Sequence, residues 1–391
     1  MKIPQEHLIG RIDGLHEGPA LICIAGLHGN EPLGLNALLQ VFSDLRHLQQ
    51  RMSGSFVALA GNLAALRAGQ RFLDEDLNRI WKEEDLERLK TSAPSSGSER
   101  REQEQLFGLL DRLLSEPNGE KYFLDLHTSS AAGSPFAIFS DSLRNRDFAR
   151  WFPSTKILGL EELLDGPLLD YVGSRGAVTL GFEAGQHEDP QSVEIHAAAI
   201  WVGLVTAGLL SAGDCPQYKN GLRRLLRAAR PGPRIVDVHY RHPVRVSDQF
   251  RMMAGFSNFQ PVKRDQVLAG DFRGPVKAPR EGLILMPLYQ EQGQDGFFLV
   301  RTVSPFWLGV SRLLRHLPLD YLLRLLPGIH TVAKRPHALD VKPQTLRWLT
   351  LDLFHLLGYR KRRRNGSFIR FTKRGFDLKS PFQPSKPKRE R

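Results

Sequence analysis

The chain has 391 residues and only two cysteines, Cys23 and Cys215, which excludes a disulfide-stapled scaffold and fits a reducing compartment. Cys23 lies inside an apolar run and reads as a small core residue. A hydrophobic run of membrane length is also missing. The longest apolar segment, Ala197 to Leu210, has 14 residues and contains Gly203 and Gly208. That is short of the roughly 20 residues a bilayer-spanning helix needs, so it reads as a buried helix. No apolar core follows the polar start Met1-Lys2-Ile3-Pro4-Gln5-Glu6-His7, so no secretory signal is read there. The expected location is the cytoplasm.

Net charge is lacking in most of the chain. Residues 359–391 hold 13 Lys and Arg against 2 Asp and Glu, so of the overall +12 only +1 belongs to residues 1–358. The basicity is a property of a tail and is no argument for a nucleic-acid-binding fold. A hydrophobic fraction of 41% and a charged fraction of 25% are those of a soluble globular protein. The length argues for two domains plus appendages.

Ala20 to Ala25 is a continuous apolar run of the kind found in a central parallel strand, and it leads directly into Gly26-Leu27-His28-Gly29-Asn30-Glu31. Pro32 suits a first helical turn, and Leu35, Leu38, Leu39 and Phe42 recur at helical spacing. Phe56 to Ala60, Tyr122 to Leu126 and Ala177 to Phe182 read as further strands, with a helix from Glu99 to Ser115 and another from Val193 to Leu210. Strands alternating with helices give an α/β domain with a mostly parallel sheet over residues 1–212. Residues 213–304, rich in Val, Gly and Pro, read as a small all-β domain. Residues 305–358 read as a Leu/Arg-rich helical extension, and 359–391 as a basic, disordered tail.

Three residues at the ends of apolar strands form a candidate zinc site. His28 and Glu31 follow the first run, and His127 ends Leu124-Asp125-Leu126-His127. A catalytic zinc takes three protein ligands and keeps a fourth position for water. In open α/β sheets, ligands bind beyond the carboxyl ends of strands, where all three residues fall. Alone, each has a plain structural role, as a helix-capping or satisfied core side chain; together they point to a metal. Glu183 also ends an apolar strand, where an unpaired carboxylate is costly unless it acts as a general base; the structural alternative is an ion pair with Arg71 or Arg175. Arg71, Asn78 and Arg79 supply donors suited to a carboxylate or an oxyanion. The competing role for them is a solvated charge cluster with Asp74, Glu75 and Asp76.

In this order the motifs Gly26-x-His28-Gly29-Asn30-Glu31, Gly61-Asn62, Arg71, Asp76-Leu77-Asn78-Arg79, Asp125-Leu126-His127 and Glu183-x-Gly185 resemble the aspartoacylase/succinylglutamate desuccinylase family. That family is a branch of the zinc carboxypeptidase-like hydrolases, and the resemblance covers residues 20–300. It implies one Zn²⁺ per chain on His28, Glu31 and His127, with Glu183 as general base and proton shuttle. It also implies that Asn78 and Arg79 hold a substrate α-carboxylate while Arg71 polarises the scissile carbonyl. Tyr171 and Arg175 match the spacing of a Tyr and an Arg that line the substrate site in aspartoacylases, although they lie nearer to the Glu here. The β domain is expected to cap the active-site mouth, with Tyr289 a candidate to reach in.

The expected activity is hydrolysis of a linear, non-peptide amide bond in an N-acyl amino acid. The alternatives are a carboxypeptidase-like peptidase or cell-wall peptide hydrolase, and a catalytically idle metal-binding module. Expected partners are the small substrate, a second copy of the chain, and an anionic membrane surface or nucleic acid reached by the tail. The tail interleaves Arg360-Lys361-Arg362-Arg363-Arg364 with Phe368, Ile369, Phe371 and Phe376.

Overall fold

The chain runs through β1 (Leu8–Asp13) and β2 (His16–Ala25), and α1 (Pro32–Leu45) and β3 (Ser53–Ala60) complete the first βαβ unit, with β3 parallel to β2 and antiparallel to β1. The computed structural model describes residues 3–91, 96–117, 119–230, 232–317, 319, 323–332, 335–343, 351–365 and 367–382. The chain divides into two compact units. The first comprises residues up to Ser140, Asp147–Thr302 and a short stretch from Ser380; the second comprises Asp141–Arg146 and Val303–Lys379.

In the first unit α2 (Leu63–Ala68), α3 (Glu83–Thr91) and α4 (Ser98–Ser115) precede β4 (Lys121–Ser129) and β5 (Phe136–Ile138). After α5 (Leu143–Ala149) come β6 (Thr155–Leu158), α6 (Leu168–Ser174), β7 (Val178–Gln186), α7 (Gln191–Thr206) and α8 (Pro216–Ala229). Strands β3, β2, β4 and β7 run parallel at the centre, which requires apolar side chains on both faces. Leu21 through Ala25 are accordingly almost fully buried. One face is covered by α1 and α7 through Leu35, Leu38, Ile200 and Leu204. The other carries α4 and α6 through Leu106, Leu110 and Val172. Burying a Leu side chain stabilises by roughly 1.5–3 kcal/mol, so these two layers fix the sheet that carries the site.

The segment expected as a separate all-β domain is only partly separate. Strands β8 (Ile235–Pro243), β14 (Asp295–Thr302), β13 (Gly282–Leu285) and β10 (Pro261–Val262) extend the main sheet beyond β6, giving the order β1-β3-β2-β4-β7-β5-β6-β8-β14-β13-β10. Only β9 (Arg251–Met252), β11 (Val267–Asp271) and β12 (Gly274–Lys277) form a second, three-stranded sheet. The continuation arises because β8 pairs parallel to β6, Ile157 opposite Val236, and buries Val236 and Phe298 against Phe136 and Ile157.

The second unit corrects the expectation of a helical extension followed by a disordered tail. It holds α9 (Pro305–His316) and α10 (Leu351–Leu356), but also an antiparallel sheet of β15 (Ile329–Val332), β16 (Arg335–Val341), β18 (Phe368–Lys373) and β17 (Tyr359–Asn365). The basic run is therefore a strand, and aromatic packing explains why. Phe371 stacks on Phe354 with ring centroids 4.3 Å apart, and Tyr359 meets Phe354 edge-on. The buried Arg315 guanidinium binds Asp141 at 2.8 Å and Asp377 at 3.3 Å, joining the ends of this unit. Residues 383–391 of the expected tail lie outside the described residues. No helix among the described residues is long and apolar enough to cross a membrane.

Candidate metal and catalytic site

The turn after β2 is shaped by glycine. A Cβ at Gly29 would lie 2.2 Å from the Ala65 carbonyl oxygen and 2.4 Å from that of Gln70, so only hydrogen fits there. The Gly29 N–H donates to the Arg71 carbonyl at 3.1 Å, which ties the His28–Glu31 turn to the arginine segment. Glu99, itself fully buried, accepts the N–H groups of Leu73 and Asp74 at 2.8 and 2.9 Å and the Asn62 amide at 2.9 Å. That carboxylate shapes the loop from which Arg71 projects, and nothing in its amphipathic helix marks it out for the task.

One ligand atom from each of His28, Glu31 and His127 lies within 4.8 Å of the other two, and all three residues are buried. Both imidazoles turn Nδ1 toward Glu31: His28 is 2.8 Å from Oε1 and His127 is 3.0 Å from Oε2. Each has its other nitrogen at a carboxylate, His28 Nε2 3.2 Å from Asp76 and His127 Nε2 3.0 Å from Asp125. An imidazole that gives its Nε2–H to a carboxylate presents a basic Nδ1 to a cation, the usual support of a metal-bound histidine. Two imidazoles and one carboxylate, with outer carboxylates behind them, fit a zinc ion. The Thr128 N–H also donates to Glu31 Oε2 at 2.9 Å, fixing the carboxylate's orientation.

Electrostatics follow from this crowding. Burial alone raises the Glu31 carboxyl, but His28 and His127 outweigh it and hold it well below the usual range. Burial likewise raises Asp76, and His28, Arg71 and Arg79 reverse the shift. His127 is pulled down by burial and lifted well above its ordinary value by Asp125 and Glu31. Glu183 behaves differently. Burial raises its carboxyl to about 8, with His127 and Arg71 opposing and Glu31 and Asp125 reinforcing the shift. It is 8% exposed, its Oε2 has no hydrogen-bond partner, and it is the register neighbour of His127 across β4 and β7. An unpartnered carboxyl beside a ligand cluster is in position to accept a proton and return it. The ion pair with Arg175 that stood as its structural alternative does not form, since Arg175 bonds Asp111.

Arg71 reaches the cluster: its Nη2 lies 2.9 Å from His28 Nε2 and its Nη1 3.5 Å from Glu31. Asn78 and Arg79 line the same pocket. The Asn78 carboxamide oxygen accepts the Leu168 N–H at 2.8 Å, and Arg79 Nη2 stands 3.5 Å from Asp295. Tyr171 and Arg175 are not brought to the pocket. Tyr171 stacks on Trp81 beneath α4, and Arg175 donates to Ser115 as well as to Asp111. At the end of short α6 they pack on Trp81 and against Asp111 of α4 instead. Tyr289 does not reach in either; its hydroxyl donates to the carbonyls of Met253 and Phe256.

The next residue does reach in. Gln290 Oε1 accepts from Asn30 Nδ2 at 2.7 Å and from His187 Nε2 at 3.0 Å, while Thr128 Oγ1 donates to His187 Nδ1 at 2.8 Å. Gln292 exchanges two hydrogen bonds with the Phe72 backbone, and Ser130 Oγ donates to the Pro287 carbonyl. The segment from Met286 to Asp295 thus forms one wall of the pocket. His187 and Gln290 carry no signal in the sequence beyond their proximity to Glu183 and to a Gly/Gln-rich turn.

Comparison with known proteins agrees with this geometry. Residues 17–155 match the family model described as the succinylglutamate desuccinylase/aspartoacylase catalytic domain. A succinylglutamate desuccinylase of Paraburkholderia xenovorans is 24% identical over 306 residues, covering 73% of this chain and 82% of the relative. One from Photorhabdus laumondii is 28% identical over 146 residues, 35% of this chain; there the match spans less than half of the relative's length, 43%. The solved structure of a succinylglutamate desuccinylase/aspartoacylase from Rhodobacter sphaeroides shares the fold, with a TM-score of 0.54 at 17% identity over 76% of this chain and 88% of that one. Over residues 17–155 the chain is thus similar to the catalytic domain of the succinylglutamate desuccinylase/aspartoacylase family, and over a longer stretch to succinylglutamate desuccinylases.

Proposed function

We propose that the protein hydrolyses the amide bond of an N-acyl amino acid, with one Zn²⁺ held by His28, Glu31 and His127. The observation that carries this reading is Glu183: a buried carboxyl with a free oxygen, one strand across from a ligand histidine. The bound ion would supply Lewis acidity toward the scissile carbonyl and toward water. Glu183 takes a proton from the attacking water and later gives it to the leaving nitrogen. As the C–N bond breaks, the acyl group departs as a carboxylic acid and the amino acid as a free amine. Arg71 donates to the carbonyl oxygen as negative charge develops there. Arg79, with Asn78 beside it, anchors the amino acid's α-carboxylate.

The peptidase alternative needs an open cleft, and the wall made by Met286 to Asp295 favours a small substrate instead. The test is amine release from N-acyl amino acids by zinc-loaded protein, compared with Glu183→Gln at equal zinc content. Release by the wild type alone supports the reading; equal rates in both sink it.

A further inference from the structure

The pocket wall from Met286 to Asp295 is tied down along its length, and one side chain in it is left half-satisfied. The Met286 N–H donates to Asn258 Oδ1 at 2.6 Å, the Leu288 N–H to the Gly296 carbonyl at 2.9 Å and the Tyr289 N–H to Ser130 Oγ at 3.2 Å. Gln292 adds its two bonds to the Phe72 backbone. A turn held on both sides presents the residue between in one place, so that residue meets a ligand without first being ordered.

That residue is Gln290, which lines the pocket. Its Oε1 accepts from Asn30 Nδ2 at 2.7 Å and from His187 Nε2 at 3.0 Å, which uses both lone pairs of the oxygen. His187 is held in turn by Thr128 Oγ1, 2.8 Å from Nδ1. With its oxygen filled, the amide keeps its N–H2 group on the other side. No described residue accepts either of those hydrogens.

Asn78 is built the same way at another side of the ligand cluster. Its Oδ1 accepts the Leu168 N–H at 2.8 Å, and no described residue accepts from its Nδ2. Its backbone N–H donates to Asp76 Oδ1 at 2.9 Å, the oxygen that faces His28 Nε2. Gln290 connects instead to Asn30, the neighbour of Glu31, and through His187 to Thr128, whose N–H donates to Glu31 Oε2. Two carboxamides therefore join the cluster through different ligands, each with its oxygen spent inside the protein and its donors unspent.

We propose that Gln290 is a specificity-determining residue whose N–H2 group binds a carboxylate or carbonyl oxygen of the substrate outside the scissile amide. This rests on the hydrolase reading above and deepens it by one substrate contact. A substrate that supplies the oxygen gains over one that leaves the donors unpaired. The contact is away from the reacting atoms, so it is felt in KM rather than in kcat.

Gln290→Glu separates the donor from the latch, because the new carboxylate still accepts from Asn30 and His187 while the N–H2 group is gone. Zinc-loaded full-length wild type, Gln290→Glu and Gln290→Ala are compared on N-acetyl-leucine, N-acetyl-aspartate and N-succinylglutamate. On at least one of these KM should rise about 10- to 100-fold in both variants with kcat little changed, the loss expected for a hydrogen bond to a charged oxygen. The rise in Gln290→Glu should persist at high salt, which screens repulsion through solvent but restores no lost contact. An equal rise on all three substrates assigns Gln290 to the α-carboxylate they share, and a rise confined to those with a further carboxylate assigns it to that group. A wild-type KM in Gln290→Glu overturns the proposal, whatever Gln290→Ala does, because the latch alone then matters; so does a rise that high salt abolishes. If none of the three is cleaved, the hydrolase reading falls, and calorimetric binding of the same compounds judges Gln290 by itself. Weaker binding to Gln290→Glu than to wild type then upholds the contact, and equal affinity or no binding to wild type overturns it.

Discussion

His127 and Glu183 sit side by side in register on adjacent parallel strands, one a candidate metal ligand and the other a buried carboxyl raised to about 8. The pairing makes the proton acceptor a part of the sheet rather than of a mobile loop, so its distance from the ligand set is fixed by backbone hydrogen bonds.

Glu183→Gln keeps the shape of the side chain and removes its ability to carry a proton. Zinc content should stay at one per chain while kcat falls by about 10²–10⁴, the usual contribution of a positioned acid–base group. Metal analysis and turnover on the same preparation check this. A fall in both would make Glu183 a structural partner of the ligands instead.

Asp76→Asn and Asp125→Asn remove the charge behind His28 and His127 without emptying the space. Each should weaken zinc binding by roughly 10–100-fold in a chelator competition, the range typical of carboxylates supporting ligand histidines. Unaltered affinity in both variants would show that the imidazoles need no such support.

Gln290→Ala breaks the contact of the pocket wall with Asn30 and His187. Zinc content should be untouched, and KM should rise more than kcat falls, because the wall shapes the binding pocket and donates nothing to the reacting atoms. A pure kcat effect would place Gln290 in the chemistry.

The second unit should be sensitive to acid. Burial raises Asp141, but Arg315 and Arg146 outweigh it and hold the carboxyl well below its ordinary value. A carboxyl depressed in the folded state contributes stability above its unfolded pKa, near 4, and loses it as pH falls through the folded value. Hydrogen-exchange protection in β16 and β18 should therefore drop below about pH 4. Arg315→Met removes the buried cation shared by Asp141 and Asp377, leaving Asp141 with Arg146, and should cost about 3–5 kcal/mol at neutral pH. Protection that does not change in this variant would refute the role of the pair.

Much of the site was legible because strand ends and their ligands are adjacent in sequence: His28 and Glu31 follow one apolar run, and His127 and Glu183 end two others. The parallel core was legible for the same reason, since a strand buried on both faces must be apolar throughout. Other features depend on partners far away in the chain. Glu99 shapes the Arg71 loop from a helix whose polar face looks ordinary, and Gln290 arrives from a turn 260 residues beyond Asn30. Tyr171 and Arg175 had a suggestive spacing, but α6 directs them onto Trp81 and Asp111. In the second unit the run Arg360 to Arg364 reads as solvated charge. It forms β17 because strand pairing uses backbone groups, while Tyr359 and Phe371 supply the burial.

The most direct measurement is zinc content and amine release from N-acyl amino acids for the wild type and His127→Ala. The account predicts one zinc per chain and turnover in the wild type, with both lost in the variant. A wild-type chain that binds no zinc, or a His127→Ala variant that retains both zinc and turnover, would contradict it.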